Sequence, residues 1–427
     1  MKTIRHRIAT LAEYHAREGL SSIHHYMDKW WLAEAYHRLK PGKAPGIDGV
    51  SKAEYGEGLS QRVEDLVNRV RSRSYRAPPV KRAQIPKGGG EFRLLGLPGL
   101  EDKVLQKGFV MLVEPVFERE FYDFSYGFRP GRSPHQAIKA LRRHVGEGGM
   151  RWVIDLDLRK YFDTIAHLPL REMFSRRIRD GILNKLVLGW LKAGVFHEGE
   201  VTISEEGTPQ GGIVSPLLSN LYLHEVLDHW FVQEVQPRMR GAAAMVRFAD
   251  DAVLCFEHEE DAQRVLRVLA KRMAKYGLEL HPDKTKLVDF RPPQWGQGKG
   301  RGSFEFLGFC FYWARTRKGR AVVKLKTARE RFTRKVKETG EWLRSNRHLP
   351  VAEQHAQLSA KIRGHLQYYG VSFNSEALGS FVWQVTRHWR RWLARRGGKT
   401  YWSWERMNSL LVSFPLPIPR IVHSLFD

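Results

Sequence analysis

Two adjacent aspartates, Asp250 and Asp251, interrupt the apolar stretch MVRFADDAVLCF at residues 245–256. The flanking residues are strongly apolar, as in strands that pack into a core. Because an unpaired buried carboxylate is costly, a chain that buries this stretch must place the pair at a turn or neutralise it. The stretch therefore predicts a β-hairpin with both carboxylates at its tip. That tip is either a solvated acidic turn or a cation-binding site.

The charge balance of the 427-residue chain is strongly basic, with a formal net charge of +25 and a sequence pI near 10.1. Such an excess indicates a polyanionic partner, with an anionic membrane surface as the alternative. No apolar run is long enough to predict a transmembrane helix, and the N-terminus lacks the apolar core of a signal peptide. The two cysteines, Cys255 and Cys310, are too few for a disulfide scaffold or a cysteine-rich zinc module. We expect a reducing, intracellular compartment.

Helical and strand patterns alternate along most of the chain. Helices are predicted within 1–40 and at 60–72, 101–117, 182–193 and 262–276. Strands are predicted up to Ile85 and at 92–95, 151–158, 245–256 and 304–313. After about residue 325 the strand pattern stops, and basic helices are predicted at 326–346, 354–369 and 376–396. This order predicts an α+β fold with an antiparallel sheet, followed by a helical domain.

A further acidic strand pattern occurs in RWVIDLDL at residues 151–158, where Asp155 and Asp157 share one face. If this strand lies beside the predicted hairpin, Asp157 meets the two aspartates of the turn, with Asp155 as the alternative. Three carboxylates that converge without nearby lysines form an all-oxygen site, which favours Mg²⁺. Two such ions can stabilise the attacking and leaving oxygens of a phosphoryl transfer.

Several longer motifs resemble those of reverse transcriptases, in particular the enzymes of group II introns and related bacterial proteins. They are FADD at 248–251, DLDLRKYFDTI at 155–165, GTPQGGIVSPLLSN at 207–220, SYGFRPGRSPHQAI at 125–138, APGIDGVS at 44–51 and FEFLGF at 304–309. The first two resemble the polymerase palm motifs, and the third is long and specific to the group II intron type. The resemblance covers roughly residues 40–400.

The resemblance implies a right-hand polymerase of the α+β class. The expected parts are a helical N-terminal extension at 1–40, fingers and palm at 41–320, an all-helical thumb/maturase (X) domain at 321–400, and a C-terminal tail of unknown role at 401–427. Many members of this family end in a zinc-bearing endonuclease domain. With two lone cysteines and no CxxC motif, we expect an endonuclease-lacking member.

The resemblance also implies the catalytic groups. The ligands of two Mg²⁺ ions, for which Mn²⁺ can substitute, are Asp157, Asp250, Asp251 and the backbone carbonyl of Leu158. Lys284 matches a lysine that can protonate the pyrophosphate leaving group as a general acid. Lys286 is the alternative for that role.

The implied nucleotide-binding residues are Lys87, Arg93, Phe162, Gln210 and Gly211. Lys87 and Arg93 flank a glycine tip, where lysine acts as a point charge and arginine grips phosphate bidentately. A basic surface hairpin is the alternative. Phe162, five residues after Asp157, matches the steric-gate position, where a bulky ring excludes a ribose 2′-hydroxyl. An ordinary core aromatic is the alternative for Phe162.

The C-terminal part interleaves arginines with tryptophans, as in FVWQVTRHWRRWLARRGGKT at 381–400. Basic groups neutralise phosphates, while aromatic rings stack on bases or pack in a core. A membrane-surface or calmodulin-binding helix is the alternative. LSAKIRGHLQYYG at 358–370 resembles the thumb or maturase segment that grips the primer–template duplex and intron RNA in the family. The predicted nucleic-acid-binding residues are Arg129, Arg132, Lys361, Arg363, Arg387, Arg390 and Arg391.

The expected function is an RNA-directed DNA polymerase that extends a DNA or RNA primer with deoxynucleoside triphosphates on an RNA template. The implied template is group II intron RNA, whose splicing the protein would assist as a maturase. We expect no membrane partner and a bacterial cytoplasmic or nucleoid location, and the sequence contains no indication of an oligomeric state. The alternatives are a domesticated enzyme in DNA repair or phage defence, and a non-catalytic RNA-binding splicing factor.

Overall fold

A computed structural model provides the fold of this chain. It describes residues 2–88, 91–197, 200–202, 206–207, 211–293, 302–396 and 402–426. The chain divides into two compact units. The first consists of Met1–Ala137 and Leu156–Leu287, and the second of Ile138–Asp155 and Val288–Asp427. All of the predicted metal-binding and nucleotide-binding residues belong to the first unit.

Helices account for much of both units. In chain order they are Lys2–Tyr14 (α1), Lys29–His37 (α2), Lys52–Gly56 (α3), Leu59–Arg71 (α4), Leu100–Phe117 (α5), Pro134–Gly146 (α6), Tyr161–Thr164 (α7), His167–Arg177 (α8), Gly181–Leu191 (α9), Ser215–Leu223 (α10), Glu259–Ala274 (α11), Arg329–Ser345 (α12), Val351–Tyr369 (α13), Ser375–Leu393 (α14) and Trp404–Ser413 (α15). Within the described part of the chain, no helix is both long enough and apolar enough to cross a bilayer.

The strands are short and mostly paired antiparallel. They are Val80–Gly88 (β1), Glu91–Leu97 (β2), Trp152–Leu156 (β3), Val195–His197 (β4), Glu200–Thr202 (β5), Ala243–Phe248 (β6), Asp251–Phe256 (β7), Lys286–Asp289 (β8), Phe304–Phe306 (β9), Phe309–Arg315 (β10) and Ala321–Thr327 (β11). This mixture of helices with short antiparallel strands, ending in a run of helices, confirms the predicted α+β class.

The first unit contains a four-stranded sheet in the order β2-β1-β4-β5. β1 and β2 form the predicted hairpin, paired from Lys81 with Leu97 to Gly88 with Glu91. Both strands extend further toward the tip than predicted, because antiparallel pairing continues up to Gly88 and Glu91. The hairpin therefore presents its tip on a long two-stranded ribbon.

Helix α5 forms the centre of the first unit's helical layer, and its apolar run FVMLV at 109–113 is buried. Its Gly108 lets α2 approach closely, since a Cβ there would lie 2.5 Å from a methyl carbon of Leu32. The indole Nε1 of Trp31 donates to the carbonyl oxygen of Gly108 at 2.8 Å. The N-terminal α2 is thereby fixed to the middle of α5.

The predicted single strand at 304–313 is wrong, because the chain turns back on itself within it. β9 and β10 pair across a tight turn formed by Leu307 and Gly308, both with positive φ. β10 then pairs with β11, a strand that the sequence pattern did not reveal. The first helix of the C-terminal region accordingly begins at Arg329, three residues after its predicted start at 326. The two strands resemble a single strand in the sequence because the turn residues, Leu307 and Gly308, introduce no polar side chain between the aromatic residues on either side.

The C-terminal helices pack on a common apolar core in the second unit. Its buried members are Leu343, Leu358, Ile362, Leu366, Leu378, Phe381, Val385, Trp389, Leu393 and Met407. Met407 belongs to α15, so part of the tail predicted at 401–427 is a packed helix of this core. The sequence spacing of three and four residues in α13 and α14 predicts this buried face.

A buried histidine makes the stability of this helical core depend on pH. His365 stacks on Phe381 with ring centroids 3.7 Å apart, and burial lowers its pKa to about 4 from an ordinary value of 6.5. The unfolded chain therefore binds the proton more readily between these values. We expect the free energy of unfolding to fall as the pH drops through this window, by about 3 kcal/mol at most.

The measurement is urea unfolding at pH 7.5 and pH 5 for the parent chain and for His365→Phe, which keeps the stacked ring. The variant should lose less stability on acidification. The exposed His348→Phe serves as the control and should keep the parental pH dependence. Asp102, whose pKa burial raises to about 6, acts in the opposite direction but is present in all three proteins. Equal slopes for His365→Phe and the parent would contradict the prediction.

Candidate active site and nucleic-acid-binding surface

The paired aspartates lie at the turn between β6 and β7, as predicted. Pairing continues up to Phe248 and Asp251, so Ala249 and Asp250 form the tip. Ala249 has a φ of 58°, which is uncommon for a residue other than glycine. The remainder of β7 is buried, whereas Asp250 is half-buried and Asp251 is exposed. The apolar strands thus anchor a turn whose carboxylates are accessible.

Asp157 directly follows β3 and is held through its backbone. Its carbonyl oxygen accepts from the amide of His281 at 2.8 Å and from Oγ1 of Thr285 at 3.1 Å. Its own amide donates to the same Thr285 oxygen at 3.3 Å. The carboxylate itself is about one-third exposed, at 33%. Backbone bonds therefore set the position of Asp157 and leave its side chain to face outward.

Leu158 forms an antiparallel bridge with Leu280. The hydrogen bonds of this bridge are made by its neighbours, from His281 to the Asp157 carbonyl and from Arg159 to the Glu279 carbonyl. The carbonyl of Leu158 takes no part in this pairing and points away from the 279–281 segment. Its orientation fits the predicted role of completing an ion site.

Lys284 lies beside Asp157, with 3.6 Å between its Nζ and the Asp157 Oδ2. Asp157 therefore does not meet the condition, stated for the three carboxylates, of having no lysine nearby. Lys284 is 53% exposed, and such an exposed ion pair contributes at most about 1 kcal/mol. The ammonium group can therefore leave Asp157 for a substrate oxygen at little cost. Lys286, the alternative, instead opens β8.

Helix α7 places an anchored tyrosine next to the predicted gate. Tyr161 is buried and donates from its hydroxyl to the Ser219 carbonyl at 2.6 Å. Burial raises the pKa of Tyr161, while the charge of Arg247 lowers it and that of Asp250 raises it. Phe162 is half-buried and meets the Tyr161 ring edge-on, with centroids 5.3 Å apart. Its partial exposure favours the gate over the core alternative.

The donor set of the predicted metal site consists only of carboxylate and carbonyl oxygens, which Mg²⁺ and Mn²⁺ prefer. Among the described residues, no three histidine, cysteine, aspartate or glutamate side chains are grouped closely enough to hold an ion alone. Mg²⁺ commonly binds through one or two carboxylates together with substrate phosphates rather than in an all-protein cage. The residues present fit a site that the nucleotide completes.

Three of the predicted nucleotide-binding side chains, those of Lys87, Arg93 and Gln210, lie outside the described residues. The backbone of Arg93 pairs with Ile85 within the β1–β2 hairpin. Gly211 is described and has a φ of 110°, and a Cβ there would lie 2.6 Å from the carbonyl oxygen of Gly96. The glycine lets the 207–214 loop contact β2, the strand that contains Arg93.

Gln106 on α5 holds the end of this loop and was not predicted from the sequence. Its Oε1 accepts from the backbone amides of Ile213 at 2.7 Å and Val214 at 3.2 Å. Its Nε2 donates to Asp102, one turn earlier on the same helix, at 2.8 Å. The available signal was the spacing of Asp102 and Gln106 at positions i and i+4, which places both polar side chains on one face of the predicted helix.

Asp102 is itself buried and accepts two further hydrogen bonds. The Tyr75 hydroxyl and the Trp190 indole each donate to its Oδ1 at 2.7 Å. Burial raises the pKa of Asp102 to about 6, although these three donors oppose the rise. The acid therefore fixes the orientation of Gln106 within the core of the first unit.

Of the two arginines in FRPGR, Arg129 is buried and satisfied within the protein. Its guanidinium donates to two carbonyl oxygens of the 122–125 loop at 2.7 and 2.8 Å, and it forms an ion pair with Glu118. This geometry favours a packing role for Arg129 over the predicted nucleic-acid-binding role. Arg132 is more exposed and pairs with Asp123.

An open basic groove of about 630 Å³ lies between α12 and α14 in the second unit. It is lined by Lys337, Gly340, Glu341, Arg344, Arg347, His388, Arg391, Trp392 and Arg395. Five of these residues are basic and one is acidic. Cationic residues on both helices, together with Trp392 on α14, suit a phosphate backbone with unpaired or terminal bases.

Of the other predicted RNA-binding residues of α14, Arg387 is exposed to solvent and Arg390 contacts the C-terminal tail. Arg387 is exposed and its guanidinium lies 4.6 Å from the centre of the Trp383 ring. Arg390 instead donates to the Trp402 carbonyl at 2.7 Å and covers the Trp404 ring. Arg390 therefore ties α15 to α14.

On α13, Arg363 is exposed, while the Lys361 ammonium lies 5.0 Å from the centre of the Trp342 ring of α12. Among the predicted residues only Arg391 lines the groove. Lys337 and Arg344, which also line the groove, were not singled out because α12 was predicted only as a basic helix.

Residues 85–311 match the family described as reverse transcriptase (RNA-dependent DNA polymerase), which is more than half of the chain. The chain belongs to the reverse transcriptase family. Within this family, a second match at residues 329–410, described as the group II intron maturase-specific domain, confirms the predicted group II intron type. That match covers α12 to α14 and most of α15.

Relatives of this reverse transcriptase include two bacterial proteins. Protein YkfC of Escherichia coli strain K12 is 36% identical over 290 residues, which cover 60% of this chain and 76% of YkfC. The group II intron-encoded protein LtrA of Lactococcus lactis subsp. cremoris is 30% identical over 282 residues. That alignment covers 62% of this chain and 46% of LtrA, so the chain spans less than half of that relative.

Proposed function

We propose that this chain is an active RNA-directed DNA polymerase that extends a primer on an RNA template by two-metal phosphoryl transfer. The proposal is supported by three aspartates, Asp157, Asp250 and Asp251, which lie within the region 85–311 that matches the reverse transcriptase family. Asp157 lies beside Lys284, and Asp250 and Asp251 lie at an accessible turn between two paired strands. A chain that had lost catalysis would have no need to keep accessible carboxylates on buried strands.

In the proposed mechanism, Asp157, Asp250, Asp251 and the Leu158 carbonyl hold the ions. Two Mg²⁺ ions bound there, or Mn²⁺ in their place, would stabilise charge on the attacking and leaving oxygens. Lys284 donates a proton to the pyrophosphate oxygen as that group departs. The 3.6 Å ion pair to Asp157 keeps the lysine close to this position before the substrate arrives.

The incoming nucleotide is held by the β1–β2 hairpin, which we call the fingers hairpin, and by the 207–214 loop. Lys87 and Arg93 neutralise its triphosphate, and Gln210 and Gly211 contact its base and the template. The close approach of Gly211 to β2 supports this arrangement, since it brings the loop to the hairpin. Gln106 fixes the far end of the same loop.

The second unit binds structured RNA in this proposal, and the partner is group II intron RNA whose splicing it assists. The basic groove between α12 and α14 supports a phosphate-binding role. We further propose fingers and palm at 41–320 and a thumb/maturase domain at 321–400, preceded by a template-side extension at 1–40. The two family matches, at 85–311 and 329–410, support this division.

Primer extension with purified protein tests the polymerase proposal. An RNA template with an annealed DNA primer, deoxynucleoside triphosphates and Mg²⁺ should give extended DNA. Chelation by EDTA should stop the reaction, and excess Mg²⁺ should restore it. If the protein binds the template but extends no primer with either Mg²⁺ or Mn²⁺, the result would instead favour a non-catalytic RNA-binding factor.

Shortening the predicted gate should relax the selection of the sugar. In Phe162→Val the side chain no longer fills the space beside a 2′-hydroxyl, so we expect readier ribonucleotide incorporation. Because Phe162 is half-buried, the loss of stability should be modest. The measurement is the ratio of kcat/KM for a ribonucleotide and its deoxy counterpart.

The matched control for this variant is Phe92→Val, an exposed aromatic on the fingers hairpin. It should leave the sugar ratio at the parental value. An unchanged ratio in Phe162→Val would remove the gate assignment without affecting the metal-site proposal.

A further inference from the structure

The turn that carries Asp250 and Asp251 rests on a fully buried arginine. Arg247 and Asp228 are both 0% exposed. The Arg247 guanidinium binds Asp228 in a bidentate manner, with Nε 2.7 Å from Oδ1 and Nη2 on Oδ2. Its remaining Nη1 donates to the carbonyl oxygen of Ala249 at 2.9 Å. The same side chain thus joins a buried acid to the backbone of the catalytic turn.

The backbone of Arg247 is held from the other side by the loop that follows α5. Its amide donates to the Phe124 carbonyl at 2.9 Å, and its carbonyl accepts from the Tyr126 amide at 2.8 Å. A Cβ on Gly127 would lie 2.1 Å from the nitrogen of Ala249. The loop backbone therefore packs directly against the turn and leaves it little room to move.

Asn220 connects these two supports. Its Oδ1 accepts from Arg247 Nη1 at 3.0 Å, and its Nδ2 donates to the Gly127 carbonyl at 2.6 Å. Asn220 is buried on α10, in the motif that resembles the group II intron type. The guanidinium, the amide and the loop form one connected network beneath Ala249.

This network is better suited to fixing geometry than to adding stability. A buried ion pair is often no more stabilising than well-packed apolar residues of similar volume. A positive φ at a residue other than glycine persists where the surroundings determine it. The bond from Arg247 to the Ala249 carbonyl acts on that strained residue, next to the first aspartate of the pair.

We propose that Arg247, oriented by Asp228, is a positioning residue that holds the Ala249–Asp251 turn in the orientation that presents its carboxylates to the metal ions. The consequence for metal binding rests on the proposed polymerase function. The hold of Arg247 on the turn, which we call the brace, does not depend on that function. Lysine at this position keeps a charge for Asp228 but cannot bind that acid bidentately and also reach Ala249. Arg247→Lys therefore separates the hold on the turn from the pairing of the buried charge.

Two measurements on the full chain test the proposal. Amide hydrogen exchange, measured without metal, should become faster in peptides that cover residues 245–253 of Arg247→Lys. Mn²⁺ binding, followed by the EPR signal of the free ion with a dideoxy-terminated primer–template and the next deoxynucleotide, should weaken about 10- to 100-fold. Neither measurement requires turnover.

Arg177→Lys is the matched control. Arg177 also pairs with an acid, Glu120, and donates to backbone carbonyls, but those belong to Ala12 and Ala16 near the N-terminus. It should leave both measurements at parental values, and both variants should bind the RNA template normally.

Unchanged exchange at 245–253 in a folded Arg247→Lys protein would overturn the brace, whatever the metal result. Faster exchange there with parental Mn²⁺ affinity would also overturn it, since the turn would not need fixing to present its carboxylates. If Asp250→Ala binds Mn²⁺ as tightly as the parental protein does, the proposed metal site is refuted. The exchange measurement on Arg247→Lys would still decide whether Arg247 holds the turn.

Discussion

Replacing Asp250 with alanine should abolish deoxynucleotide incorporation while leaving the fold and RNA binding intact. Removal of an indirect supporter of a metal ligand commonly costs about 10- to 100-fold in activity, and loss of a proposed ligand should exceed that range. Asp250 is half-buried at a turn and belongs to no apolar cluster, so its truncation leaves no cavity. The measurement is single-nucleotide extension of a DNA primer on an RNA template under saturating Mg²⁺.

The matched control for this prediction is Glu260→Ala, which removes an exposed carboxylate from α11 in the same unit. It changes the net charge equally and should retain parental extension rates. Circular dichroism and template affinity verify that both variants are folded. Full activity of Asp250→Ala would refute the assignment of the catalytic carboxylates, whatever the behaviour of the remaining site.

Neutralising the groove in the second unit should produce the other large effect, on RNA affinity. For a protein that contacts six to ten phosphates, affinity falls by about 10³- to 10⁵-fold between 50 and 200 mM salt. Arg344→Gln combined with Arg391→Gln removes two cations from opposite sides of the groove. We expect weaker binding at all salt concentrations and a slope of log affinity against log salt that is shallower by about two.

A control with the same change in net charge distinguishes direct RNA contacts in the groove from the general attraction of RNA to a basic protein. Arg317→Gln combined with Arg320→Gln neutralises two exposed arginines in the turn between β10 and β11. These changes should leave the salt slope near its parental value. Equal losses in the two double variants would show that net charge, rather than the groove, governs the binding of RNA.

Local patterns in the sequence determined much of this protein. The apolar flanks of Asp250 and Asp251 require a hairpin with an acidic turn, because buried strands cannot hide unpaired carboxylates. The helical spacing in α13 and α14 likewise requires a buried face, and Leu358 and Trp389 lie on it. The longer motifs indicated the family, which the match at residues 85–311 confirms. Each of these predictions depends on residues close together in the chain.

The tertiary structure alone decided which polar groups meet. It placed Lys284 beside Asp157, turned Arg129 inward to Glu118, and set Arg247 beneath the turn that it precedes. Periodicity assigns a residue to a face of a strand or helix, but the partner on that face comes from a distant segment. Such contacts arise from how whole helices and strands pack. The partner of each charged side chain, and therefore its role, is determined by the tertiary structure.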